Sequence, residues 1–315
     1  MMKNKIFKQA FLIFSASGIF FLISVLCPSC QIKYTEYSLG EGFYRLMKVE
    51  RRATILKVLS SETDINSIAS DEEYDVLIVT DVHMGNENYG KNGPRRESEW
   101  LKQITDVQED GSRIVDSVRF ALCLGDVAEH GYLSECERFN SDVKDPLLNI
   151  KTEKCPEGIK LYNIVGNHDL YNSGWQNWAD TMYPNTSFYK FETPSFSWYF
   201  LDSASGSLGG YQYDAADAAM RADTKKKLVF SHVPVYADDF FYFTMQNTEE
   251  RNRLISTCAE TSTELFVDGH THNERFSDFG AFYEYNLPGF LEKYGYGILH
   301  INEKEGTATM TVKYY

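Results

Sequence analysis

One stretch of the chain reads Leu161-Tyr162-Asn163-Ile164-Val165-Gly166-Asn167-His168-Asp169. Its first five residues are mostly apolar or aromatic, a composition that predicts a buried strand. Gly166 has no Cβ, so the backbone can turn sharply where this strand ends. The turn presents a carboxamide, an imidazole and a carboxylate side by side. These groups suit a metal site with an acid beside it better than they suit a core.

Four other stretches have the same design, an apolar run that ends in Asp or His. The runs span 75–80, 120–124, 227–231 and 265–268, and they end in Asp81-Val82-His83, Gly125-Asp126, His232 and Gly269-His270-Thr271-His272. The five stretches supply seven candidate metal ligands, which are Asp81, His83, Asp126, Asn167, His232, His270 and His272. Oxygen from Asp and Asn and nitrogen from His suit Mn, Fe or Zn. Seven ligands are too many for one tetrahedral ion and predict two ions that share a carboxylate.

The composition predicts a folded, strand-rich protein without a nucleic-acid partner. The chain has 315 residues, of which 43% are hydrophobic and 15% aromatic, so it can bury a full core. Its formal net charge of −14 repels nucleic acid and anionic lipid. A phosphate substrate remains suitable, because bound metal cations would supply local positive charge.

The first 30 residues predict export. Lys3, Lys5 and Lys8 precede an uncharged apolar run over 11–26, which is shorter than the ~20 residues of a typical spanning helix. We interpret this run as a signal sequence, with a short membrane anchor as the alternative. Ser29-Cys30 resembles the end of a bacterial lipobox, although Cys27 stands where such motifs usually carry Leu. We therefore expect the mature protein in the cell envelope. It would be lipid-anchored through Cys30, or alternatively periplasmic, secreted or held by the N-terminal segment.

The rest of the chain divides into an extension and a larger domain. Residues 31–73 predict a partly helical extension and linker, with an amphipathic helix over 43–59 and an acidic linker after it. Residues 74–315 predict the domain that carries the motifs. Strands alternate with helices in its first half, including a long, mostly helix-forming stretch over 95–119 in which Gly111 is a candidate interruption, and strands follow one another later. This order predicts a layered α/β fold. Cys136 and Cys155 flank one connecting region and could form a disulfide.

The motifs together resemble those of a known family. Asp81-x-His83, Gly125-Asp126-x-x-Glu129, Gly166-Asn167-His168-Asp169, His232 and Gly269-His270-x-His272 look like the five blocks of calcineurin-like metallophosphoesterases, in the family's order. The resemblance covers about residues 74–302. It implies an α/β fold with four αββα layers, in which two mixed sheets are flanked by helices and the metals lie at strand ends.

The resemblance also implies a role for each site residue. Asp81, His83, Asp126 and His272 would hold one metal ion, and Asp126, Asn167, His232 and His270 would hold the other, with Asp126 as the bridge. The two ions, divalent or mixed-valence Mn, Fe or Zn, would activate a bridging hydroxide that hydrolyses a phosphate ester. His168 would stabilise the substrate phosphate and protonate the leaving oxygen, and Asp169 would orient His168. Purple acid phosphatases carry a Tyr ligand where this chain has Glu129, so their iron–tyrosinate colour is not expected.

Two other classes of function remain as alternatives. A cell-surface binding module would keep the fold and lose turnover, although the full ligand set disfavours this reading. A metallo-β-lactamase-type hydrolase would need a His-x-His-x-Asp-His run, which the sequence lacks. The expected partners are a small phosphate ester, monoester or diester, and a membrane contacted through the N-terminal segment or a lipid on Cys30. Tyr171 follows the Gly166–Asp169 block and lines either the pocket or the core.

Overall fold

Two β-sheets carry the fold, and the strands predicted before the five motifs lie in them. The computed structural model describes residues 49–87, 94–238 and 243–315, all within the compact unit Leu46–Tyr315. The predicted signal segment, Cys27 and Cys30 lie outside the described residues.

The smaller sheet has five strands in the order β12-β11-β2-β3-β4. They are β2 (Glu73–Val79), β3 (Val118–Cys123), β4 (Lys160–Asn163), β11 (Gly295–Asn302) and β12 (Thr307–Tyr314). The strands β2, β3 and β4 are parallel, whereas β11 is antiparallel to both β2 and β12. The parallel strands therefore end at one edge of the sheet.

The larger sheet has seven strands in the order β1-β5-β6-β7-β8-β10-β9. They are β1 (Lys57–Val58), β5 (Tyr189–Glu192), β6 (Phe196–Phe200), β7 (Lys226–Phe230), β8 (Thr263–Asp268), β9 (Arg275–Asp278) and β10 (Tyr283–Asn286). Three consecutive parallel pairs, β6 with β7, β7 with β8 and β8 with β10, form its centre. Both sheets are mixed, as the resemblance implies.

The described helices are α1 (Thr63–Asn66), α2 (Glu97–Thr105), α3 (Leu133–Phe139), α4 (Asp145–Asn149), α5 (Trp175–Thr181), α6 (Gly210–Ala222), α7 (Thr248–Glu260) and α8 (Phe290–Lys293). Ile65 of α1 packs in the core between the two sheets, whereas other helices cover the outer faces. Trp100 of α2 and Trp178 of α5 pack in the cluster outside the five-stranded sheet. Tyr213 of α6 and Leu254 of α7 pack in the cluster outside the seven-stranded sheet.

The main core lies between the two sheets. Side chains alternate along β2, so Val76 and Ile78 face the other sheet while Leu77 and Val79 face helices. In this core the ring of Phe120 lies 5.2 Å from that of Trp198 across the sheets. The predicted α/β fold with four αββα layers is therefore confirmed.

Three local predictions differ from the structure. The helix expected within 95–119 ends at Thr105, where Asp106 is already extended, and Gly111 follows with a φ of 85° before β3 begins at Val118. Lys57–Val58 form a strand beside β5 where a helix was expected, since pairing with Tyr189–Lys190 extends the sheet. Strand β9 was not anticipated.

The described cysteines decide whether Cys136 and Cys155 form a disulfide. The sequence left open whether Cys136 pairs with Cys155, and the structure shows no such bond, because the four described cysteines are free and buried. The Cys155 thiol lies instead 2.9 Å from the carbonyl oxygen of Arg119 in β3.

None of the helices within the described ranges is both long and apolar enough to cross a membrane.

An ion-pair cluster joins Glu72, which precedes β2, to Arg119 in β3 and to Lys154, which precedes β4. The Arg119 guanidinium donates two hydrogen bonds of 2.6 Å to Glu72, and Lys154 donates a third of 3.0 Å. Burial alone would raise the pKa of Glu72, but the hydrogen bonds from Arg119 and Lys154 lower it to about 2. Because the folded-state pKa lies below the ordinary value of 4.5, the stabilisation is complete above pH 4.5 and is lost toward pH 2.

We expect Glu72→Gln to lower the free energy of unfolding by about 1.5–3 kcal/mol at pH 7, because the carboxylate accepts three charged hydrogen bonds. The difference from wild type should shrink as the pH falls below 4.5. Urea unfolding of both proteins at several pH values measures it. The exposed Glu109 provides the control Glu109→Gln, with a change of about 0.5 kcal/mol or less. A difference that stays constant with pH would contradict the assigned ion pair.

Candidate metal centre

The seven candidate ligands meet where the two sheets' parallel strands end. Asp81 and His83 follow β2, Asp126 follows β3, Asn167 follows β4, His232 follows β7, and His270 and His272 follow β8. The two Asp residues, His83 and His232 are almost fully buried. The structure thus brings together every side chain that the sequence proposed as a metal ligand.

The backbone at the centre is unusual. Five of the seven candidates have left-handed φ values between 49° and 66°, namely Asp81, His83, Asp126, His270 and His272. Non-glycine residues rarely adopt this region, and each such residue costs about 1–3 kcal/mol. The chain keeps this conformation because the neighbouring loops pack tightly around it.

Two motif glycines permit that packing. A Cβ on Gly166 would lie 2.2 Å from both the backbone nitrogen and Oδ1 of Asp126. A Cβ on Gly269 would lie 2.1 Å from Thr80 Oγ1. The loops that carry the ligands therefore touch at positions where only glycine fits.

The first group of acceptors consists of Asp81, His83 and His272. His83 Nδ1 lies 2.7 Å from Glu129 Oε2, and His272 Nδ1 lies 2.7 Å from Glu292 Oε2. Each carboxylate favours a proton on Nδ1, which leaves the Nε2 lone pair directed inward.

Inside this group the acceptor atoms face one another. The two Nε2 atoms of His83 and His272 are 3.2 Å apart. Asp81 Oδ1 lies 3.2 Å from His272 Nε2 and makes no hydrogen bond to any described residue. A cation between these atoms would satisfy all three.

The second group has the same character and contains Asp126, Asn167, His232 and His270. His232 Nδ1 donates to the Leu124 carbonyl at 2.8 Å, so its Nε2 lone pair points inward. This Nε2 lies 3.0 Å from Asn167 Oδ1 and 3.4 Å from Asp126 Oδ2. Ligand atoms of His270 lie within 4.8 Å of those of His232 and Asp126.

The two groups adjoin at Asp126. Its Oδ2 lies 3.7 Å from His83 Nε2 of the first group, while its Oδ1 accepts the backbone N–H of His168 at 2.8 Å. The arrangement fits two ions with Asp126 between them, and the donor set of imidazole nitrogens and carboxylate or amide oxygens suits Mn, Fe or Zn.

The electrostatics of the centre favour a bound cation. Burial would raise the pKa of Asp126, but the imidazoles of His232 and His83 hold it well below its usual range. Burial lowers the pKa of His270 to about 4. Burial would also lower the pKa values of His232 and His272. However, Asp126 raises the pKa of His232 to about 9, and Asp81 raises the pKa of His272 to about 9. The carboxylates therefore draw positive charge into the centre, as protons or as metal.

His168 lies beside the two groups, and its ring edge contacts His83 at a centroid distance of 4.6 Å. Its Nδ1–H donates to the Glu129 carbonyl at 2.9 Å, which leaves Nε2 for a substrate. The expected contact with Asp169 is wrong. The Asp169 carboxylate accepts the backbone N–H groups of Ala128 and Gly166, each at 2.8 Å, so it joins two motif loops.

The environment of Asp169 also differs from that of an exposed carboxylate. Burial and the adjacent Asp126 raise the pKa of Asp169 to about 7, although its two backbone hydrogen bonds act in the opposite direction. Asp169 is fully buried, so it reaches a substrate only through the loops that it holds.

The sequence did not reveal three residues that support the ligands. Glu129 and Glu292 contact the outer nitrogens of His83 and His272, and Arg95 donates to the carbonyl of His83 at 2.7 Å. The spacing after Gly125-Asp126 marked Glu129 as a departure from a Tyr ligand, but nothing in the spacing linked it to His83. Glu292 and Arg95 belong to no motif.

We expect Gly166→Ala to lower the free energy of unfolding by about 1–3 kcal/mol, because its Cβ overlaps Asp126. It should also reduce the metal retained after desalting, since Asp126 must move. The matched control is Gly210→Ala at the start of α6, where a Cβ meets nothing within 4 Å. That variant should change stability by about 1 kcal/mol or less. Wild-type stability and metal content in Gly166→Ala would contradict the close packing.

Comparisons with known proteins indicate the same fold. The family model described as "Calcineurin-like phosphoesterase" matches residues 74–274. A search of curated protein sequences found no match.

Two solved structures illustrate the likeness. A dimetal phosphatase from Danio rerio is 17% identical, with a TM-score of 0.54 over 73% of this chain and 93% of that chain. The purple acid phosphatase PPD1 from yellow lupin (Lupinus luteus) seeds is 12% identical, with a TM-score of 0.55 over 77% of this chain and 54% of that chain. At these identities the likeness concerns the fold.

Proposed function

Because this chain belongs to the calcineurin-like phosphoesterase family, we propose that it hydrolyses small phosphate esters with two bound metal ions. One observation carries the proposal: two adjoining groups of buried imidazole nitrogens and carboxylate or amide oxygens face inward, with the closest atoms 3.0–3.4 Å apart. The family model supports phosphoester hydrolysis in general, and the geometry of the acceptors supports metal dependence.

The proposed assignment of ligands follows the two groups. Asp81, His83 and His272 would hold one ion, and Asn167, His232 and His270 would hold the other. Asp126 would contact both, because it lies 3.7 Å from His83 and 3.4 Å from His232. When bound, the two ions would supply Lewis-acid charge to the phosphoryl group and lower the pKa of a water shared between them, so that hydroxide forms near neutral pH.

His168 would assist departure of the leaving group. Hydrolysis forms a bond from phosphorus to the water oxygen and breaks the bond to the leaving oxygen, which then needs a proton. The Glu129 carbonyl holds the Nδ1–H of His168, so a protonated imidazole can deliver the proton from Nε2. Asp169 would act indirectly, by keeping the Gly166 and Ala128 loops together.

The proposal covers three metals and two classes of ester. Mn, Fe and Zn all suit the donor set, and metal availability contributes to which one is bound. Monoesters and diesters both suit a two-metal centre. Glu129 occupies the position of the Tyr ligand of purple acid phosphatases, so the iron-loaded protein should show no tyrosinate charge-transfer band.

We expect the full-length protein to hydrolyse p-nitrophenyl phosphate or bis-p-nitrophenyl phosphate with Mn²⁺ or Zn²⁺ and to lose activity with chelator. Asp126→Asn should lower kcat/KM by at least about 100-fold, because the carboxylate that lies 3.7 Å from His83 and 3.4 Å from His232 loses its charge. The exposed Asp71 provides the control Asp71→Asn, which should retain wild-type activity. The ratio of the two rates distinguishes monoester from diester preference.

The same experiment separates the hydrolase from a catalytically silent surface binding module. A protein that retains two equivalents of metal but hydrolyses neither these esters nor a panel of natural phosphate esters would favour the binding module. A wild type that binds no metal would contradict both the ligand assignment and metal-dependent hydrolysis.

We also propose that the protein is exported and lipid-anchored through Cys30. The support is the sequence of residues 1–30, namely the basic start, the apolar run and Ser29-Cys30. Expression in a bacterium with Cys30→Ala as the comparison tests the anchor. Wild type should partition with the membrane fraction and the variant should not. Equal partitioning would favour the uncleaved apolar segment as the anchor, whereas wild type in the soluble periplasmic fraction would favour simple secretion.

A further inference from the structure

Tyr171 stands at the exposed side of the metal centre and contacts two of its residues. Its side chain is 45% exposed, although the adjacent Asp169 is buried. The Tyr171 ring lies 4.5 Å from the His168 ring between centroids, at an angle of 41°. Its hydroxyl oxygen lies 3.4 Å from Asn167 Nδ2, which is a long hydrogen bond in which the amide donates. The sequence left open whether this residue lines the pocket or the core, and the structure places it at the site.

The backbone holds Tyr171 in this position. The helical turn that begins at His168 breaks at Tyr171, which is extended, and Asn172 follows with a φ of 50°. Asn172 Nδ2 donates to the His130 carbonyl at 2.9 Å. A Cβ on Gly131 would lie 2.4 Å from the Tyr171 carbonyl oxygen, so the two loops are in close contact. The ring therefore projects from a fixed piece of backbone.

The contact matters because Asn167 is an amide. A carboxamide has one oxygen that can bind a metal and one NH₂ group that cannot, so its orientation decides whether it is a ligand. Here Oδ1 points to His232 Nε2 at 3.0 Å, within the second acceptor group. Tyr171 is the described residue whose side chain receives the opposite end of that amide.

We propose that Tyr171 is a positioning residue of the metal centre: by accepting a hydrogen bond from Asn167 Nδ2, its hydroxyl turns Asn167 Oδ1 toward the second ion. This inference rests on the proposed two-metal function. Its consequence is specific, because only the ion held by Asn167 depends on the Tyr171 hydroxyl. The ion held by Asp81, His83 and His272 does not.

The test is a metal titration of the full-length, metal-stripped protein with Mn²⁺ and Zn²⁺ by calorimetry. Tyr171→Phe keeps the ring and removes the hydroxyl. We expect it to weaken one of the two binding steps by about 3- to 10-fold and to leave the other unchanged. Tyr132→Phe is the control, because Tyr132 is 49% exposed and stacks on His130 nearby without a contact to a candidate ligand.

Repeating Tyr171→Phe in a protein that also carries Asn167→Asp separates an effect on the orientation of the amide from a general effect on the structure. In Asn167→Asp both terminal atoms are oxygens, so no orientation is needed and Tyr171→Phe should no longer weaken the second step. An equal loss in both backgrounds, a loss at both steps, or no loss in Tyr171→Phe alone would overturn the inference. If wild type binds no metal, the proposed function itself fails, and the two failures are therefore distinguishable.

Discussion

Buried acceptor atoms that face one another are the constraint on which this structure depends. His83 Nε2 and His272 Nε2 are 3.2 Å apart, and outer carboxylates hold the proton of each ring on the far nitrogen. Two nitrogen acceptors at this distance need a positive charge between them, as a proton or as a metal ion. The loops hold the atoms there because hydrogen bonds and packing outside the centre fix each ring. The centre is therefore organised in advance for a cation.

The strain in the loops follows from the same constraint. Strands deliver side chains alternately to the two faces of a sheet, but a shared ion needs several ligands from neighbouring strand ends to converge. One residue with a left-handed backbone conformation changes the direction of the chain, and five of the candidate ligands adopt that conformation. The cost is offset by packing between the sheets and by contacts such as Asp169 with the amides of Ala128 and Gly166.

The sequence could predict the parts of this site that are local. Each strand runs directly into its ligands, so the apolar run and the polar residues after it were readable together, as at Val165 and Asn167. The order of the motifs then gave the fold. The left-handed backbone, by contrast, could not be predicted from the residue types of Asp81 or His83, because Asp and His adopt this region only more often than other non-glycine residues do.

The supporting contacts could not be predicted because they join distant parts of the chain. Glu292 is 20 residues from His272, and Arg52, in the extension, donates to Asp202 at 2.7 Å across 150 positions. The resemblance implied that Asp169 orients His168, whereas its carboxylate accepts the backbone N–H of Ala128. Contacts of this kind depend on strand register and loop path, which motif spacing does not specify.

The placement of β11 has a consequence for the order of events as the protein is made. This strand, Gly295–Asn302, lies between β12 and β2, so β2 remains an unpaired edge until late residues arrive. Glu292, which holds the His272 ring, comes immediately before it. A nascent chain therefore cannot finish its metal centre before β11 has been synthesised. The metal ions that are available when β11 docks, rather than those available when Asp81 is translated, are the ones that the finished centre meets.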